Sequence, residues 1–234
     1  MSRRLTVGAV VLVAILSGCH GGKPESAPSP EPTPVEACVT DEEQRAGAVH
    51  LELGGDKALD GVVVGTGDVW IVFDNQLPET LCGWREWAGP LESKYRMLLF
   101  DYSGGPADKD VVAAASELRK RGVHKVFLVG ASLGGNAVLA AAPQVQPPVA
   151  GVVSLSAPAD FNGVDALAAV RKLTAPVFLV AAKDDLPFGP DAQRLYDACP
   201  AADRKLDLED GGLHGRSLLD DTMSTKVETF LTSH

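Results

Sequence analysis

The residues best suited to chemistry are one serine, one histidine and a pair of acids, far apart in the chain and each just beyond an expected strand. The serine is the centre of Gly130-Ala131-Ser132-Leu133-Gly134, which breaks an apolar segment and leads into a helix-forming run of small residues. Glycines on both sides of a serine, between strand and helix, allow a turn so sharp that its apex is held in a strained backbone conformation; a Cβ at Gly130 or Gly134 would collide with neighbouring chain. The Ser132 hydroxyl then stands over a helix N-terminus, where free N–H groups and the helix dipole favour developing negative charge. Such a hydroxyl is inert near neutral pH unless an imidazole takes its proton and a carboxylate orients the imidazole.

Five histidines are available. His20 follows an apolar N-terminal run, His50 lies in an expected strand, His124 in a turn, and His234 ends the sequence. His214 alone occupies a glycine-flanked loop, Gly211-Gly212-Leu213-His214-Gly215, between an expected strand at 204–208 and an expected helix at 217–231. It is the candidate base. Between Ser132 and His214, the apolar segment 177–181 runs into Asp184 and Asp185, one of which should orient His214.

The elements that must hold these residues follow from hydrophobic periodicity. Strands are expected at 49–53, 60–64, 69–73, 96–100, 125–129, 150–155, 177–181 and 204–208. Helices are expected at 108–121, with Val111, Val112, Ala115 and Leu118 on one face, and at 132–142, with a short one around 164–172. The fifth strand carries the serine, the seventh the acids, and the eighth precedes the histidine. This order, with each residue just past a strand end, resembles the α/β-hydrolase family throughout the globular part. Leu98 to Gly105, with its Asp101-Tyr102-Ser103-Gly104 turn, is similar to the family's fourth strand and the turn after it.

The resemblance implies an α/β fold with a mostly parallel eight-stranded sheet and helices on both faces. It also implies a minimal lid or none, because residues 157–174 hold only a short helix where larger relatives carry an insertion. Members usually place the acid three residues after the small residue ending its strand. Counting from Ala182 gives Asp185, the preferred acid, and counting from Ala181 gives the alternative, Asp184. The oxyanion hole would use the N–H of Leu133 and one from Asn75 or Gln76 in the loop after the third strand. Many relatives have His-Gly where this chain has Asp74-Asn75. The stretch from Asn75 to Trp84 resembles a subgroup of bacterial secreted hydrolases with Gln followed by Cys-x-Trp. Trp70, Trp84 and Trp87 read first as core, with an acyl-pocket lining as the alternative.

The implied activity is hydrolysis of carboxylic esters through an acyl-enzyme, with an open site suited to small, soluble or polymer-bound esters. Two alternatives remain: acyl transfer to a cell-envelope acceptor, or a noncatalytic binding lipoprotein on the same scaffold, which Asp74-Asn75 favours. The sequence contains no metal-ligand spacing and no dinucleotide glycine fingerprint, so neither metal nor cofactor is expected.

Arg3 and Arg4 precede an apolar run at 5–16, which is too short to span a bilayer comfortably and ends Leu16-Ser17-Gly18-Cys19. This resembles a bacterial lipobox. Residues 1–18 therefore read as a lipoprotein signal peptide, Cys19 as the acylated anchor, 19–37 as a proline-rich tether, and 38–234 as the hydrolase domain. The domain would sit at the outer face of the cell membrane. Without residues 1–18, 19 basic residues face 31 acidic ones, a net charge of −12. That argues against nucleic acid as a partner and leaves the lipid as the link to the membrane. Of the remaining cysteines, Cys38 and Cys82 both lie near the start of the domain and are the expected disulfide in an exported compartment, leaving Cys199 free.

Overall fold

Apolar residues in runs of five or six, most of them β-branched or aromatic, can be buried on both faces only at the centre of a sheet covered by helices. A computed structural model describes residues 38–54 and 56–234, and in it such runs form the middle of one eight-stranded sheet. The readings of 1–37, Cys19 included, lie outside the described residues. The strands of this sheet are β1 (Ala48–Gly54), β2 (Lys57–Gly65), β3 (Val69–Asp74), β4 (Tyr95–Phe100), β5 (Val126–Ala131), β6 (Gly151–Leu155), β9 (Val177–Ala182) and β10 (Arg204–Glu209). A small ribbon, β7 (Asp160–Phe161) with β8 (Val164–Asp165), stands apart. The order is β1-β2-β4-β3-β5-β6-β9-β10, antiparallel at β1–β2 and β2–β4 and parallel elsewhere.

Side chains alternate between two cores. Along β5, Val126 and Leu128 enter one layer with α3 (Ala107–Lys120), α4 (Leu133–Ala141), α5 (Ala166–Val170) and α6 (Phe188–Ala198). Phe127, Val129 and Ala131 enter the other, with α2 (Cys82–Ala88) and α7 (Asp221–Ser233). From β3 the chain passes to β4 on one side and then returns to β5 on the other, so β3 and β5 are adjacent. At such a switch point the loops leaving both strands open side by side, which is where open α/β sheets place their sites.

Several elements differ from expectation. The helix expected at 217–231 is divided into a 3₁₀ turn, Gly215–Leu218, and α7, because the Asp220 side chain accepts from Met223 N at 2.8 Å and caps a new start. The short helix near 164–172 begins only after β8, capped by Asp165 on Ala168 N. Helices α1 (Asp41–Gly47), α2 and α6 carry no expectation from the sequence pattern. Trp70 and Trp84 are core residues, and Trp87 is half-buried against both Phe73 and Trp84. Cys38 and Cys82 are disulfide-bonded, and Cys199 is free and buried.

Candidate active site

Ser132 joins β5 to α4 with φ +52° and ψ −115°, a conformation rarely populated by a residue with a side chain. Close packing enforces it. A Cβ on Gly130 would lie 2.2 Å from the Gly134 carbonyl oxygen, and one on Gly134 would lie 2.3 Å from that of Asp74. Ser132 N donates to Leu155 O at 2.8 Å and Gly134 N to Asn75 O at 3.0 Å, tying the turn to the ends of β6 and β3. Leu133 is the first residue of α4, so its N–H has no intrahelical acceptor.

The acid and the histidine come from neighbouring strand ends. β9 ends at Ala182, and Asp185 Oδ2 lies 2.8 Å from His214 Nδ1. An ionised carboxylate only accepts, so Nδ1 is the donor in this bond, and a neutral ring then presents its lone pair at Nε2. The Asp185 side chain is 10% exposed and the imidazole 35%, so the carboxylate is shielded while the ring faces solvent. Phe188 packs on the imidazole at 4.4 Å between ring centroids. Asp184 acts through its backbone instead. Its N–H donates to Gly211 O at 2.9 Å and pins the histidine loop, while its side chain is exposed. The residue after His214, Gly215, donates to Ser156 Oγ at 2.9 Å, and a Cβ on it would stand 3.6 Å from that of Ala131. The histidine loop therefore packs against the residue preceding Ser132. Elsewhere, His50 bonds to Asp60 and Glu52, and His234 to Asp203.

Of the two expected donors after β3, Asn75 is already engaged. Its N–H donates to Asp74 Oδ1 at 3.0 Å. Its side chain is buried and donates to Phe100 O at 2.7 Å. The Gln76 N–H has no acceptor among the described residues, and neither has that of Leu133.

No protein-family model matches the sequence, and no curated protein matches it. Solved structures do share its architecture. A monoacylglycerol lipase from Paleococcus ferrophilus superposes with a TM-score of 0.65 at 17% identity, covering 75% of this chain and 99% of its own. A dienelactone hydrolase from Anabaena variabilis gives 0.64 at 19% identity, covering 80% and 94%. A thermophilic esterase from Thermogutta terrifontis gives 0.65 at 12% identity, covering 80% and 98%. The chain has the α/β-hydrolase fold. Among the described residues, no group of three or more His, Cys, Asp or Glu could hold a metal ion.

Sequence reasoning missed the buried support beneath the site. Asp74 is fully buried; its Oδ2 has no hydrogen-bond partner, and the nearby Tyr102 hydroxyl donates to the Asn75 carbonyl. The Asp74 carbonyl accepts from Trp84 Nε1 at 2.9 Å. Burial, the largest influence, pushes the Asp74 carboxyl well above the usual carboxylate range, against smaller lowering by Tyr102 and the Asn75 N–H. The folded chain thus keeps a proton that the unfolded chain releases above about pH 4. The stability from this group is complete below that pH and is lost as pH rises through the raised folded value. Asp74→Asn stays neutral and keeps an acceptor for Asn75 N. It is expected to raise the thermal midpoint relative to wild type more at about pH 8 than at about pH 5. Calorimetry showing an equal change at both values would contradict this.

Proposed function

We propose that this chain is a serine hydrolase that cleaves carboxylic esters through an acyl-enzyme, with Ser132 as nucleophile, His214 as base and Asp185 as the orienting acid. The observation that carries the reading is the 2.8 Å Asp185–His214 bond on a loop packed against the residue before Ser132. In this mechanism His214 Nε2 removes the Ser132 proton as Oγ attacks the ester carbonyl. Asp185 stabilises the imidazolium, and the Leu133 and Gln76 N–H groups hold the oxyanion. Collapse of the tetrahedral intermediate releases the alcohol, which takes its proton from His214. Water, activated by the same imidazole, then frees the acid. The lipase, dienelactone hydrolase and esterase that share the fold favour ester chemistry.

The rim bears on the substrate. Among the described residues the exposed large hydrophobic side chains are Leu77, Leu186 and Leu213, at 52%, 72% and 56% exposure. Each adjoins one member of the site: Gln76, Asp185 or His214. Such a rim suits a small ester with an apolar part, reached without crossing a lid. The same proposal places the domain at the outer face of a bacterial membrane, held by a lipid on Cys19 and spaced from it by residues 19–37. No helix among the described residues is long and apolar enough to cross a membrane.

The direct test is reaction with a fluorophosphonate, which phosphonylates only an activated serine. Mass spectrometry of the digested protein is expected to find the adduct on the peptide containing Ser132. A folded protein that remains unlabelled after prolonged exposure would remove the central claim, and ligand screening for a binding role would follow.

A further inference from the structure

Gln76 is bonded through both ends of its side chain. Its Oε1 accepts from Arg216 N at 2.8 Å, two residues beyond His214, and its Nε2 donates to Glu79 Oε1 at 3.1 Å. Glu79 Oε2 in turn accepts from Arg216 Nε at 2.8 Å and from Nη2 of the same guanidinium, which lies over the Trp84 ring. The contact leaves no room beside it. Gly215 has φ +57°, a conformation that favours glycine, and a Cβ there would come within 2.1 Å of Gln76 Oε1 and push the amide out of its bond.

We infer that Gln76 is a positioning residue whose side chain locks the histidine loop to the oxyanion loop, while its own backbone N–H faces the site. This rests on the serine hydrolase reading. In that chemistry the base and the oxyanion donors must be in register at the same moment, and a misplacement of about 1 Å is worth about a hundredfold in rate. Asp185 fixes the imidazole from one side. On the other, the chain leaving His214 is held by Ser156 and by Gln76. Gln76, Glu79 and Arg216 thus form a closed ring of hydrogen bonds in which one residue supplies both an oxyanion donor and the reference point for the base.

The test separates this role from plain structural support. Gln76→Met, of similar length but without polar ends, is expected to lower kcat on an activated ester about 10- to 100-fold while KM changes less than about twofold. The Arg216 amide should exchange faster with solvent, a readout independent of turnover. Gln76→Glu alone sets two carboxylates together and should also lose rate. The exchanged pair Gln76→Glu/Glu79→Gln keeps an acceptor for Arg216 N, a donor–acceptor contact between the two side chains and an acceptor for the guanidinium. It should recover kcat to within about threefold of wild type. A Gln76→Met protein with kcat within about twofold of wild type, or an exchanged pair no better than Gln76→Glu, would overturn the inference. If Gln76→Met does not fold, the comparison of Gln76→Glu with the exchanged pair decides alone. Fluorophosphonate labelling of wild type tells a failure here from failure of the hydrolase reading, since unlabelled wild type defeats both.

Discussion

Ser132→Ala is expected to reduce ester turnover by about 10⁴-fold or more, and His214→Ala by a similar amount, because nucleophile and base act as a unit and neither works alone. The acids should separate clearly. Asp185→Asn keeps the shape of the site but accepts from Nδ1–H less strongly and can hold the wrong imidazole tautomer, so a loss of about 10³- to 10⁴-fold is expected. Asp184→Asn leaves the backbone bond to Gly211 intact and should stay within about twofold of wild type. Steady-state kinetics on an activated ester, with thermal midpoints measured alongside, checks the series. Equal losses for the two asparagine variants would remove Asp185 from its role.

Reducing the Cys38–Cys82 bond is the second large effect. The bond closes a loop with a sequence separation of 44. Releasing it returns about 4 kcal/mol of chain entropy to the unfolded state. For a domain of this size that corresponds to a fall of about 10 °C in the thermal midpoint, read by calorimetry on oxidised protein against reduced and alkylated protein. Activity should fall as well before unfolding. Cys82 begins α2, and Trp84 on that helix holds the Asp74 carbonyl beneath the oxyanion loop. A midpoint unchanged by reduction would show that packing of α2 alone suffices.

The parts of the site readable in advance are those fixed by local backbone requirements. Gly130 and Gly134 announce a sharp turn because no other residue fits their 2.2 and 2.3 Å approaches. The choice between Asp184 and Asp185 turned on one residue of strand length, and β9 runs to Ala182 because it pairs with β10 as far as Glu209. Helix α6 opens with Gly189 and Pro190, which disfavour a helix interior but are tolerated in a first turn, where a missing N–H costs little. The division of the last helix depends on Asp220 acting as a cap rather than as a helical residue. Asp74 was unreadable for another reason. An acid at a strand end is ordinarily solvated, whereas this one is fully buried beside Tyr102, with Trp84 bonded to its carbonyl, neighbours brought to it only by the tertiary fold. The bond from Gln76 to Arg216 spans 140 residues, beyond any local pattern.

The disulfide has a mechanical consequence. Tension arriving at residue 38 is passed across the sulfur bridge to residue 82, because the intervening residues form a closed loop that no pull at that point can straighten. Strands β1 and β2, at the antiparallel edge of the sheet, are thereby removed from the load path. The force is handed to α2, whose Trp84 is seated in the core.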